Sequence, residues 1–237
     1  MHQKRFFMVI IAAAGLLTLS ACQETDQDRI SDAQYCLDEA RDAVSANACI
    51  ASIKDLKTEA SYILQCSAAF IGQGFSSASK LSNTLDQLQG NGGTAALLGL
   101  MAFDTKANAA AAFDVCTKSN QKAMGLLAAM SRSATLIASA SVGAIDDLIA
   151  NPENASTIIS AAIQELLDDP VAFADDIEAI GETVATVYQS SCNSGSQVNA
   201  DLCGQISDAL GNPAPGEFSS VDPAVVADYL LNLWKTP

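Results

Sequence analysis

Apolar side chains in this chain recur at intervals of three and four residues, a spacing that commits the folded part to packed helices. Ile158, Ile159, Ala162, Ile163, Leu166 and Leu167 share one face of a helix. Ile177, Ile180, Val184 and Val187 share a face of another, and Tyr62, Ile63, Cys66 and Phe70 of a third, which turns Cys66 toward the core. Aromatic residues are only 5% of the chain, while alanine and serine are abundant. That balance favours helices packed closely through small side chains over a β-sandwich. The expected fold is an all-α multi-helix bundle.

Punctuation divides the bundle. Helix formers run from Ile30 to Val44, and Asn47 marks a break before Cys49. A second helical stretch reaches about Gly72, where Gly72 and Gly74 offer a stop, and Ser76 or Ser77 can cap a shorter helix ending near Gly90. Gly90-Asn91-Gly92-Gly93 reads as a flexible joint; it lacks the Gly-Lys-Ser/Thr that would make it a phosphate-binding loop. Ala95 to Phe103 is uninterruptedly apolar, and Ala107 to Ser141 carries Ala, Leu, Met and Ser on nearly every face, as buried central helices do. Asn151-Pro152, Asp169-Pro170 and Asp222-Pro223 each set a capping side chain before a proline suited to a first helical turn. Leu202, Ile206 and Leu210 suggest a short helix closed by Gly211, then a loop over 212–220. Val226, Leu230, Leu233 and Trp234 fit a terminal helix docking on the core.

The N-terminus is of a different kind. Lys4 and Arg5 precede an apolar run from Phe6 to Leu19, long enough for an export signal and too short for an ordinary membrane span. The chain then reads Leu19-Ser20-Ala21-Cys22. This resembles the lipobox of bacterial lipoproteins, in which a branched apolar residue and two small residues precede the cysteine that takes a diacylglyceryl group. The resemblance implies that residues 1–21 are removed and that Cys22 becomes the acylated first residue. Gln23, rather than aspartate, implies sorting to the outer membrane of a Gram-negative cell. Each buried methylene contributes roughly 0.8 kcal/mol, so two or three acyl chains hold a protein at a bilayer. Residues 22–29 are then the acylated cysteine and a short polar tether, and 30–237 the helical domain, with its joint at 90–93.

Without the signal, ten basic residues face twenty-seven acidic ones, a formal charge of −17. Nucleic acid and anionic membrane surfaces should thereby repel the chain. The imbalance is concentrated: from Ser141 onward there are fifteen acidic residues and one basic residue, Lys235. A solvated helix surface accounts for this as simply as a cation-binding face does.

Six cysteines follow Cys22: Cys36, Cys49, Cys66, Cys116, Cys192 and Cys203. In an exported chain an even number reads as a disulfide set, for which about fifteen pairings exist. One arrangement clips Cys192 to Cys203 across the polar stretch between them and Cys36 to Cys49 around 45–47, leaving Cys66 with Cys116. No C-x-x-C pair is present to suggest zinc.

Reactive constellations are sparse. The only histidine, His2, falls in the signal, so the mature chain has no Ser-His-Asp triad, Cys-His pair or histidine metal ligand. Ser77-Ala78-Ser79-Lys80 and Ser119-Asn120-Gln121-Lys122 match S-x-x-K. Ser191-Cys192-Asn193 and Lys235-Thr236-Pro237 follow in the order of the penicillin-binding family, but the last lacks its glycine and the strands of that fold are missing. Asp146-Asp147, Asp168-Asp169 and Asp175-Asp176 are adjacent carboxylates, which point about 100° apart on a helix and do not share a site. No cofactor is called for. The expectation is a non-enzymatic, lipid-anchored envelope protein that acts by contact with an envelope partner. The alternative is a carrier with an apolar cavity lined by 95–141; a Ser/Lys enzyme comes third.

Overall fold

The structure is a computed structural model that describes residues 25–75, 93–191, 204, 207, 208 and 222–235. Among the described residues it is all helical, with ten α-helices and no strand.

Helix α1 (Asp26–Glu39) begins earlier than its apolar pattern. The Asp28 amide donates to Thr25 Oγ1 at 3.2 Å, and the Thr25 amide donates to the Asp28 carboxylate at 3.0 Å. This reciprocal cap satisfies two donors that a helix start otherwise leaves orphaned. Residues 26–29, expected in the tether, are therefore helical, because capping is a local polar device that needs no apolar periodicity. Nor does the helix run on to Val44. Asp42 and Ser45 form a second reciprocal cap, with the Ser45 amide donating to Asp42 Oδ1 at 2.8 Å, and α2 (Ala43–Cys49) starts there. Asn47, expected to break the helix, lies inside α2 and donates its side-chain amide to the Ala43 carbonyl.

A 3-10 turn (Ala51–Ile53) leads to α3 (Glu59–Gly72), capped by Thr58. Helices α1 to α3 bury Ala33, Leu37, Ala40, Ile50, Ile53, Leu56 and Ala68 as a small core of their own. The other face of α3 presents Cys66 and Phe70 to α5 (Lys106–Lys118), where Phe103, Ala109, Ala112, Cys116 and Ala128 complete a second cluster. The Phe70 ring stands edge-on to Phe75 at 5.2 Å and to Phe103 at 5.3 Å, an arrangement the ring quadrupoles favour. Helix α3 thus bridges the N-terminal lobe to the rest.

The main core gathers around α6 (Lys122–Ala138), which packs on α5, α4 (Gly93–Met101), α8 (Ala155–Asp168) and α9 (Ala174–Ser191). Neighbours on several sides require small residues on several faces, and Ala128, Ala129, Ala134 and Ala138 are at most 3% exposed. The apolar run beginning at Ala95 is largely buried as expected, whereas in the run beginning at Ala107 only Ala109, Ala112 and Cys116 of α5 are buried and burial becomes general from Ala128; Asn120, whose φ of 56° is left-handed, splits that run in two. Its interior is not wholly apolar. Thr135 Oγ1 donates to the Ser131 carbonyl and accepts from the Phe103 amide at 2.8 Å, tying the end of α4 to α6.

Ala144–Ala150 (α7) is followed by a 3-10 turn at Pro152–Asn154 before α8 begins. Asn151-Pro152 and Asp169-Pro170 accordingly start turns, with α8 and α9 beginning three and four residues past each proline. Asp169 still caps locally, accepting from the Ala172 amide at 3.1 Å. Only Asp222-Pro223 opens an α-helix directly, α10 (Pro223–Trp234), where Asp222 accepts from the Ala224 amide. The expected core faces appear at Ile159, Ala162, Ile163, Leu166, Ile177, Ile180, Val184, Val226 and Leu230. Ile158 and Leu167 are half-buried, and Leu233, expected on the docked face of α10, is instead 42% exposed. Its place is taken by Ala227 and Leu231. Trp234 packs half-buried against Val184, Val226 and Leu230. The expected features at 76–92, 192–203 and 209–221, and the Val187 side chain, lie outside the described residues.

Candidate functional site

Cys22 lies three positions before the Thr25 cap and outside the described residues. What stands next to it in the fold is therefore the first turn of α1. Arg29 there donates through Nε to the Ser52 carbonyl at 2.8 Å, pairs with Asp26 at 3.2 Å, and also pairs with Asp55. The Asp55 carboxyl is held below the usual carboxylate range by its hydrogen bond from Arg29, and Arg29 is raised by the same contact. Asp28 and Asp42 are also lowered, chiefly by hydrogen bonds within their caps. The carboxylates of this turn are thus already engaged, Asp26 with Arg29 and Asp28 with the Thr25 cap. Sequence reading missed the clamp, since Arg29 and Asp55 are far apart in the chain; the Thr25-x-x-Asp28 cap was the available signal.

Two of the three expected cysteine pairs are in place. Cys36 and Cys49 are bonded, joining α1 to α2 with Cα atoms 5.3 Å apart, and Cys66 and Cys116 are bonded, joining α3 to α5 at 4.9 Å. The first is reachable from solvent through the exposed Cys36; both sulfur-bearing residues of the second are fully buried. Cys192 and Cys203 lie outside the described residues.

Nothing resembling a reaction centre gathers around the remaining candidates. Ser119 is buried, its hydroxyl donating to the Cys116 carbonyl at 2.6 Å, while Lys122 is exposed at the start of α6. Lys235 is exposed at the end of α10. Ser77 and Lys80, and the Cys192-Asn193 and Thr236-Pro237 parts of the other two elements, lie outside the described residues. Asp146-Asp147 and Asp175-Asp176 occupy the first turns of α7 and α9, where the helix dipole favours negative charge. Asp176 is bound by Lys106, with Nζ to Oδ2 at 2.6 Å. Asp168-Asp169 closes α8. Among the described residues no group of three or more His, Cys, Asp or Glu side chains is placed to hold a metal ion. No described helix is long and apolar enough to cross a membrane.

Three clefts open on the surface. One of about 360 Å³ is lined by Gly99, Leu100, Leu148 and Ile149, with Gln73 and Asp104 at its polar side. A second, about 270 Å³, lies where Lys54, Gln65 and Asn108 approach Phe103, and a third, about 320 Å³, is lined by Phe113, Thr117, Gly125 and Thr186. All three border the 95–141 region expected to wall a cavity, and all three open to solvent. Comparison with protein-family models, with curated proteins and with solved structures gives no match.

Proposed function

We propose that the chain is a non-enzymatic lipoprotein, held by acyl chains on Cys22 at the outer membrane of a Gram-negative envelope, and that it acts by contact with another envelope component. The observation that carries this is the Leu19-Ser20-Ala21-Cys22 sequence after a basic and apolar leader. What supports the contact role is that the S-x-x-K serine at 119 and the paired carboxylates at 146–147, 168–169 and 175–176 stand apart from one another. A carrier of apolar ligands needs an enclosed chamber, whereas the three clefts open to solvent. A Ser/Lys enzyme needs its serine in a cleft with a lysine, and Ser119 is buried in a hydrogen bond to the chain itself.

Cross-linking in native cells followed by purification of the full-length protein tests the proposal. A discrete envelope partner recovered with the wild type, and lost with Cys22→Ser, is expected. Turnover of an envelope substrate by the purified protein, with no cross-linked partner, would overturn it.

A further inference from the structure

We propose that the edge formed by the first turn of α1 and by residues 51–58 rests on the lipid headgroup layer, with Lys54 and Lys57 meeting lipid phosphates. The inference rests on acylation of Cys22. Only two residues separate that cysteine from the Thr25 cap, and three Cα-to-Cα steps span at most about 11 Å. The first turn of α1 therefore cannot stand far from the bilayer.

The Arg29 clamp brings a second segment to the same place. By binding the Ser52 carbonyl and the Asp55 carboxylate, Arg29 fixes the 52–55 backbone beside the turn nearest the anchor. It offsets one of the two charges of Asp26 and Asp55, and Asp28 is held in the cap; with Lys54 and Lys57 this edge sets three cations against three carboxylates. Lys54 and Lys57 are exposed on this segment. Among the described residues these two ammonium groups have no carboxylate partner within ion-pair distance. Helices α7 to α10 carry the acidic excess and repel an anionic surface. The chain as a whole avoids such a surface, whereas this balanced edge, with two free ammonium groups, tolerates and binds it. The phosphates of anionic headgroups are the matching chemistry.

The test is lysine acetylation by a membrane-impermeant reagent, read by mass spectrometry. The acylated full-length protein on vesicles containing phosphatidylglycerol is compared with the same protein on phosphatidylcholine vesicles, and with the soluble Cys22→Ser protein. Each lysine near an anionic surface is favoured by about fivefold, so Lys54 and Lys57 should react several-fold more slowly on anionic vesicles than in the soluble protein. Lys122 and Lys235 should be unchanged. Equal protection on both vesicle types would overturn the attraction to anionic headgroups, and no protection at Lys54 and Lys57, or equal protection of all four lysines, would overturn the orientation. If the wild-type protein fails to float with vesicles, the anchor reading falls and this inference with it; flotation with unprotected lysines refutes the inference alone.

Discussion

Gly181 is where the packing of α10 is most sharply constrained. A Cβ built there would lie 1.8 Å from the Pro223 carbonyl oxygen, 2.4 Å from its carbon and 2.9 Å from the Pro223 Cα. All three atoms are backbone, so no rotamer change relieves the clash, and restoring an ordinary contact requires α10 to move out by about 1.5 Å. That shift loosens Val226, Ala227, Leu230 and Leu231, all at most 1% exposed. Overpacking of this kind costs about 3 kcal/mol at the upper end, against about 1 kcal/mol gained by replacing a helical glycine with alanine. Gly181→Ala should therefore destabilise by about 2 kcal/mol. Gly125, in α6, has nothing within 4 Å of its built Cβ. Gly125→Ala should accordingly stabilise by about 0.5–1 kcal/mol, so one substitution in two helices is expected to have opposite signs. Urea unfolding of the Cys22→Ser protein, followed by emission of Trp234, the only tryptophan, reads both. Gly181→Ala should also shift native emission to the red, because Trp234 packs on the α9–α10 seam. Equal, stabilising effects at both positions with unchanged emission would refute the close approach.

Four further outcomes follow. Removing the Cys66–Cys116 bond, which spans 50 residues, should cost about 4 kcal/mol, against about 3 for Cys36–Cys49, which spans 13, measured as alanine pairs by urea unfolding. Mild thiol reductant should open Cys36–Cys49 first, read by alkylation and peptide mapping, since only that bond has an exposed member. Thr135→Val keeps shape but leaves the buried Phe103 amide without its acceptor, and should cost about 1–3 kcal/mol by calorimetry. Acidification should loosen the N-terminal lobe first. Asp28, Asp42 and Asp55 have lowered folded-state pKa values, so the unfolded chain binds protons more readily; their stabilisation is complete above the ordinary carboxylate value of 3.8 and is lost as pH falls through the folded values. Hydrogen exchange of α1 and α2 should rise before that of α8 on acid titration.

The helical class was legible because periodicity is a one-dimensional signal: Ile159, Ala162, Ile163 and Leu166 lie on one buried stripe as their spacing requires. The pairing of Cys36 with Cys49 was legible as a short loop, which left Cys66 to Cys116. Boundaries were harder where polar side chains decide them. Thr25 with Asp28 and Asp42 with Ser45 start helices through hydrogen bonds that hydropathy does not register, and Pro152 and Pro170 open turns because the chain must change direction before α8 and α9 can pack. The Arg29 clamp and the Gly181–Pro223 approach depend on residues distant in the chain, so no local pattern announces them. For the site, the anchoring sequence could be read directly, whereas Lys54 and Lys57 acquire meaning only once Arg29 fixes their segment beside the anchor.

The intact mass of the protein extracted from its native membranes tests the anchor most directly. Cleavage before Cys22, with diacylglyceryl and acyl mass added to the new N-terminus, is the expected result. An unmodified N-terminus, or a Cys22→Ser protein that stays in the membrane fraction, would contradict it.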